Sequence, residues 1–223
     1  MTLICGIDEA GRGPLLGPMV IAGVLVDEKG SEELKSMGIK DSKLLSHKKR
    51  QELYKQIIAK TKYKILVVSP KEIDAALNSE KMNLNWLEAH TSAKIINKLK
   101  PDKAIIDCPS INTTNYQQYL VNLLNDKGTK MIVEHKADAN YIESSAASIL
   151  AKVTREEEIG KIKKRVGDFG SGYPSDPKTI KFLEEHGKDY PDVFRKTWAP
   201  YRKQFPQGDQ STINDFEVDD NGR

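Results

Sequence analysis

Leu3-Ile4-Cys5-Gly6-Ile7-Asp8-Glu9-Ala10-Gly11-Arg12-Gly13-Pro14 runs from an apolar stretch through two adjacent acids into a glycine-rich turn. A short β-favouring run bounded by Gly and Pro reads as a strand, so Asp8 and Glu9 are expected at its end, where the pleat gives way to a loop. Two adjacent carboxylates repel each other. Clustering them is costly unless a cation or a hydrogen-bond network compensates, and a hard divalent metal is the natural compensator. Taken alone, the pair favours the plainer reading, a solvated strand end before a tight turn.

Working outward, Met19 to Asp27 is a second β run, joined to the first through Pro14–Pro18, a connection short enough for an antiparallel neighbour. Ser31 is expected to open a short helix that stops near Gly38, and Ser46 the next, whose apolar face is Leu53, Ile57 and Ile58. Tyr63 to Ser69 reads as a third strand ended by Pro70. Leu84, Leu87, Ala93, Ile95, Ile96 and Leu99 mark a crossover helix over 83–100, stopped by Pro101. Lys103 to Pro109 repeats the opening theme, an apolar strand that delivers Asp107 to its end. Thr113 to Asn125 reads as a helix, and Lys130 to His135 as a fifth strand running into Asp138. The expected fold is α/β: a mixed five-stranded sheet flanked by helices, an antiparallel meander followed by helix-linked parallel strands.

From Tyr141 the chain turns helical, with Ile142, Ala146, Ile149 and Val153 on one face and small residues between them. Lys161 to Arg165 is basic, Gly167 to Gly172 a glycine-rich turn and Thr179 to His186 a short helix. This divides the chain into a catalytic domain over 1–165, a small helical C-terminal lobe over 166–205 and a flexible tail over 206–223, which is rich in Gln, Asp, Asn and Gly. In a chain of 223 residues, 30% charged, the formal net charge is only +3, so any nucleic-acid affinity would have to come from the distribution of basic residues. No run of about 18 or more apolar residues occurs and no basic leader precedes the first strand, so a cytoplasmic location is expected. Cys5 and Cys108 have no metal or redox spacing and read as small buried hydrophobes.

Asp8, Glu9, Asp107 and Asp138 lie far apart in sequence, yet each is expected to close a β run, and strand ends on one sheet edge line a common crevice. Oxygen ligands with no His or Cys partner select Mg²⁺ or Mn²⁺ over zinc. Two such ions about 3.5–4 Å apart suit in-line displacement at phosphorus. Gly11 and Gly13 allow backbone amides to approach a sugar or phosphate, and Arg12 can pair with phosphate oxygens. The substrate expected from this is a polynucleotide backbone.

Six motifs in order, Asp8–Pro18 (DEAGRGPLLGP), Lys40-Asp41-Ser42-Lys43, Ile105–Pro109 (IIDCP), His135–Asp138 (HKAD), Ser145–Arg155 (SAASILAKVTR) and Gly170–Asp176 (GSGYPSD), give residues 3 to 200 a resemblance to type 2 ribonuclease H, ribonuclease HII, most similar to archaeal members. The resemblance implies a ribonuclease H-like sheet and endonucleolytic cleavage of the RNA strand of RNA/DNA hybrids. Single ribonucleotides embedded in duplex DNA are included, and the ends left are 5′-phosphate and 3′-hydroxyl. It implies that Asp8, Glu9, Asp107 and Asp138 are the metal-binding carboxylates and that Gly11, Arg12 and Gly13 read the 2′-hydroxyl. By the same resemblance Tyr173 stacks on the sugar at the ribonucleotide-to-deoxyribonucleotide junction, Ser42 and Lys43 contact phosphate, and Lys152 and Arg155 belong to a basic helix segment on the substrate. A backbone loop that recognises the 2′-hydroxyl is indifferent to the base, so cleavage is expected to be independent of sequence.

Competing readings are a junction resolvase or integrase on the same fold, a catalytically silent hybrid-binding module and an acidic small-molecule phosphohydrolase. Gln210, Ile213 and Phe216 in the tail have the spacing of the short motif by which replication proteins bind the sliding clamp, although Glu217 stands where a second aromatic is usual. A monomer is the default expectation.

Overall fold

The computed structural model describes residues 1–39 and 45–206. Strand β1 (Ile4–Ala10) pairs antiparallel with β2 (Met19–Val26), and β2 pairs antiparallel with β3 (Lys62–Val68). On the other side of β1 the parallel strands β4 (Lys103–Asp107) and β5 (Lys130–Glu134) complete a sheet of order β3-β2-β1-β4-β5. The expected mixed five-stranded sheet is therefore the observed one. The helices among the described residues are α1 (Glu28–Ser36), α2 (His47–Lys60), α3 (Pro70–Leu77), α4 (Leu84–Leu99), α5 (Thr113–Asn122), α6 (Ala137–Asn140), α7 (Ile142–Val166), α8 (Pro177–His186) and α9 (Ala199–Gln204). None of them is long and apolar enough to cross a membrane.

Alternation along β1 sets up the site. Cys5 and Ile7 face α4 and α5, packing with Ala89, Ala93, Ile96, Tyr116 and Leu120. Ala10 belongs to the opposite layer, where Val20, Ala22 and Val24 meet Leu53 and Ile57 of α2 and Ala146, Ile149 and Leu150 of α7. Burial of Ile7, 1% exposed, is worth roughly 2–3 kcal/mol. The α7 backbone approaches β1 so closely that a Cβ on Gly6 would run into Glu143 and Ser144, which explains a glycine in the middle of a strand. Buried small residues, Ser144, Ala147, Ser148 and Ala151, make this approach feasible.

A third apolar cluster joins Leu15 and Leu16, just beyond β1, to Val166, Phe169, Phe182, Leu183, Val193 and Phe194, with Ile159 and Ile162 of α7 packed against it. Backbone bonds reinforce this join: Leu15 N donates to Gly172 O at 2.8 Å, Gly17 N to Val193 O at 2.9 Å and Arg195 N to Leu15 O at 2.9 Å. The residues after α7 thus grip the turn that follows the first strand.

Several boundaries differ from expectation for local reasons. The first helix begins three residues before Ser31, because Asp27 caps it by accepting from Gly30 N. Helix α5 stops at Asn122, short of Asn125, where Lys127 Nζ donates to the end carbonyls of Val121 and Asn122. Asp8 and Glu9 lie within β1, which runs on to Ala10. Asp138 does not close β5: the strand ends at Glu134, Lys136 turns the chain at φ 60°, and Asp138 sits in α6. Asp107 does end β4, as expected. In the β1–β4 register Ile7 pairs with Ile106 and Cys5 with Ala104, so Asp8 follows level with Asp107 and Cys108 lies four residues beyond Cys5's partner. Both cysteines are buried free thiols.

Candidate active site

Asp8 from β1, Asp107 from β4 and Asp138 from α6 each bring a carboxylate oxygen to within 4.8 Å of the others. The parallel register puts the first two side by side. The third is placed by the αL turn at Lys136 and by a 3.3 Å hydrogen bond from Ala137 N to Asp107 Oδ1, which ties α6 to the end of β4. Asp8 and Asp138 are buried, at 5% and 3% exposure, so solvent does little to screen their repulsion. Burial pushes the Asp8 carboxyl well above its usual range, and the charges of Glu9 and Asp107 push it further against a hydrogen bond from Ser148 of α7. A group of closely spaced, largely buried carboxylate oxygens of like charge fits a hard divalent cation.

Glu9, one residue on, points by strand alternation to the α4 face. There it meets the charge of Glu88 while remaining in the field of Asp107, and burial with these two charges lifts it to about 8 against the pull of Arg12. The structure therefore brings three of the sequence-predicted acids into one group and sets Glu9 beside them, in the wall of the adjoining cleft.

That cleft, about 300 Å³, is lined by Glu9, Ala10, Gly11, Arg12, Gly13, Lys152, Arg155, Glu156 and Tyr173. Gly11 has φ 82°, and a Cβ there would strike the Arg155 guanidinium, so the position needs glycine for conformation and for space. Two Arg155 nitrogens, Nε and Nη2, are buried with no hydrogen-bond partner among the described residues. A Cβ on Gly13 would stand 3.5 Å from the Tyr173 ring, so the tyrosine lies directly against the loop. Tyr173 is 41% exposed, and its turn is bolted to the loop by the bonds from Leu15 N and Leu16 N to Gly172 O.

Residues the sequence reading passed over hold this loop. Arg195, fully buried, donates from Nε to Gly17 O at 3.0 Å, from Nη1 to Arg12 O at 2.7 Å and from Nη2 to Gly11 O at 2.5 Å. Its guanidinium carbon lies 4.9 Å from the Trp198 ring centre, and Trp198 Nε1 donates to Gly13 O at 3.2 Å. From α4, Glu88 Oε1 accepts from Arg12 Nε at 2.9 Å and Asn85 Oδ1 accepts from Arg12 Nη2 at 2.6 Å. A signal for Glu88 did exist: it is an acid spaced with Ser92, Ile95 and Leu99 on the inward stripe of α4. Asp74 of α3 anchors the segment after Arg195 by accepting from Lys196 N and Thr197 N, both at 2.9 Å. Ser42, Lys43, Gln210, Ile213 and Phe216 lie outside the described residues.

The chain is similar to known proteins over most of its length. The family model for ribonuclease HII matches residues 5–201. A ribonuclease HII of Pyrococcus furiosus is 49% identical over 206 residues, covering 90% of this chain and 90% of its own. The crystal structure of the ribonuclease H2 from Pyrococcus horikoshii superposes with a TM-score of 0.82 at 43% identity, covering 91% of this chain and 96% of that one. The structure of the PCNA:RNase HII complex from Archaeoglobus fulgidus does so at 0.79 and 37%, covering 96% and 100%. With a family match across nearly its whole described length and its acids, glycine loop and tyrosine turn at one edge of the expected sheet, the chain belongs to the ribonuclease HII family.

Proposed function

We propose that this protein is an endonuclease that hydrolyses the RNA strand of RNA/DNA hybrids, including single ribonucleotides embedded in duplex DNA, leaving 5′-phosphate and 3′-hydroxyl ends. The observation that carries the reading is adjacency: a buried Asp8–Asp107–Asp138 group next to a cleft walled by the Gly11–Gly13 loop, Lys152, Arg155 and Tyr173. Asp8, Asp107 and Asp138, with Glu9 at the side, would hold the divalent ions, and Mg²⁺ or Mn²⁺ suits all-oxygen donors. When bound, such ions supply an activated water and charge stabilisation for the leaving oxygen. The chain's own residues do the rest. The Gly11–Gly13 backbone, held by Arg195 and Trp198, receives the ribose edge, and this loop, not a base-reading side chain, separates RNA from DNA. Lys152 and Arg155 give the cleft positive charge for backbone phosphates, and Tyr173 offers an apolar face to the adjoining sugar.

A gel assay with magnesium tests this, comparing an all-DNA duplex with the same duplex carrying one ribonucleotide. Cleavage only of the second, at the ribonucleotide, is expected; equal cleavage of both would favour a general nuclease on this fold, and cleavage of neither would remove the reading. The tail motif Gln210, Ile213 and Phe216 adds a partner to the proposal, a sliding clamp of the PCNA kind, supported by that sequence pattern and by the Archaeoglobus complex. Deleting residues 206–223 is expected to abolish co-elution with the clamp and leave cleavage of short substrates unchanged. The protein is taken to act as a monomer in the cytoplasm, and light scattering checks the first point.

A further inference from the structure

Arg12 occupies a seat built by another element. On α4, Asn85 and Glu88 are three residues apart, so both side chains project from one side of the helix towards the cleft loop. Their oxygens take different nitrogens of one guanidinium, Glu88 Oε1 the Nε and Asn85 Oδ1 the Nη2, which fixes both the direction of the side chain and the plane of its fork. Glu88 is 2% exposed, and its second oxygen, Oε2, is buried with no hydrogen-bond partner among the described residues. A carboxylate kept there for stability alone would be a poor choice, since an apolar residue of similar volume avoids the cost of burying a charge that is only half satisfied. Arg12 already feels the charge of Glu9, the acid that lines the cleft beside the aspartate group, so removing Glu88 would leave that attraction unopposed.

We propose that Glu88, assisted by Asn85, is a positioning residue for ribonucleotide cleavage: it holds the Arg12 guanidinium in the cleft wall and away from Glu9, and touches neither substrate nor reacting atoms. The proposal rests on the function argued above. It predicts that Glu88 matters only through Arg12.

The test is a double-mutant cycle on the single-ribonucleotide duplex, with kcat and KM measured for wild type, Glu88→Ala, Arg12→Ala and the double variant, and duplex affinity measured in parallel by fluorescence anisotropy in EDTA. Glu88→Ala is expected to lower kcat/KM about 10- to 100-fold, the usual range for a group that orients a site residue. In the Arg12→Ala background it should cost less than about twofold, as full coupling requires. Glu88→Gln keeps an oxygen for Arg12 Nε and should retain most activity. Equal losses in both backgrounds would overturn the proposal by showing a merely structural role, and so would no loss with Arg12 present. If Glu88→Ala does not fold, Asn85→Ala breaks the second bond and enters the same cycle, with the same two overturning outcomes. Failure of the wild type to cleave the ribonucleotide duplex would sink the proposed function instead, and the affinity cycle in EDTA would still decide whether Glu88 acts through Arg12.

Discussion

Asp8, Asp107 and Asp138 gather like charges at one sheet edge, whereas the neighbouring Gly11–Gly13 loop is held by groups of opposite character: carboxylate and amide oxygens on Arg12, and an arginine on the loop carbonyls. The aspartate group keeps its carboxylates close together and largely buried, an arrangement that a divalent cation would complete. The loop is finished by the chain itself, through α4 and the segment around Arg195. On the function proposed above, the difference teaches that one part of the site would store electrostatic cost until a cation binds, while the other would be pre-organised before substrate arrives.

The sharpest way to break that contrast is to neutralise an acid. Asp8→Asn or Asp107→Asn is expected to reduce cleavage to the level of a no-enzyme control while the melting temperature holds or rises, because one ligand is lost and one repulsion relieved. Near-normal turnover with magnesium in either variant would remove the metal assignment.

The loop should answer in the opposite sense. Gly11→Ala puts a side chain at φ 82° and against Arg155, so stability should fall by about 1–2 kcal/mol from the left-handed backbone alone. Displacing the loop by about 1 Å should cost on the order of 100-fold in kcat/KM. A variant that melts like wild type and cleaves normally would show that the loop is not pre-organised.

Titration sharpens the contrast further. Glu9 is raised from about 4.5 to about 8 and Asp8 is also raised, so the folded state favours the protonated acids. The stability they contribute is fully present below their ordinary values and is lost as pH rises above them, for Glu9 as pH climbs through about 8. In EDTA the wild type should therefore melt lower at about pH 9 than at about pH 6, with a smaller drop in Asp8→Asn, and millimolar magnesium should restore most of the loss at the higher pH. Calorimetric scans with a flat profile in EDTA would contradict stored repulsion.

How much of this was legible follows the same division. Asp8 and Asp107 could be read because an apolar run leads to each of them, and the parallel register sets them level. Asp138 was readable as an acid near a strand exit but not as a helical residue, since the αL turn at Lys136 is a bend that nothing in His135–Asp138 announces. Gly11 was readable as a loop glycine, but its second reason, room for Arg155, depends on a helix far along the chain. Glu88 and Arg195 were missed because each acts across the fold. The spacing of Glu88 on α4 marks it as inward-facing but not its partner Arg12, and Arg195 bonds to carbonyls from the first strand's exit, with no local pattern to mark it.

The smallest expected effect belongs to Tyr173, which borders the loop without holding it. Its ring rests against Gly13 and is 41% exposed, so Tyr173→Ala removes little buried surface and should change stability by less than about 1 kcal/mol. The Gly172 carbonyl that bolts this turn to Leu15 and Leu16 is backbone and survives the substitution. What is lost is a flat apolar face at the mouth of the cleft, worth on the order of 1–2 kcal/mol when a nucleotide packs on it, or about tenfold in kcat/KM. A single embedded ribonucleotide offers only one junction, so the loss should fall chiefly on that substrate and less on a long hybrid. Comparing kcat/KM for the two substrates measures this directly. Equal losses on both, with a lowered melting temperature, would make Tyr173 part of the loop's scaffold and move it to the pre-organised side of the comparison.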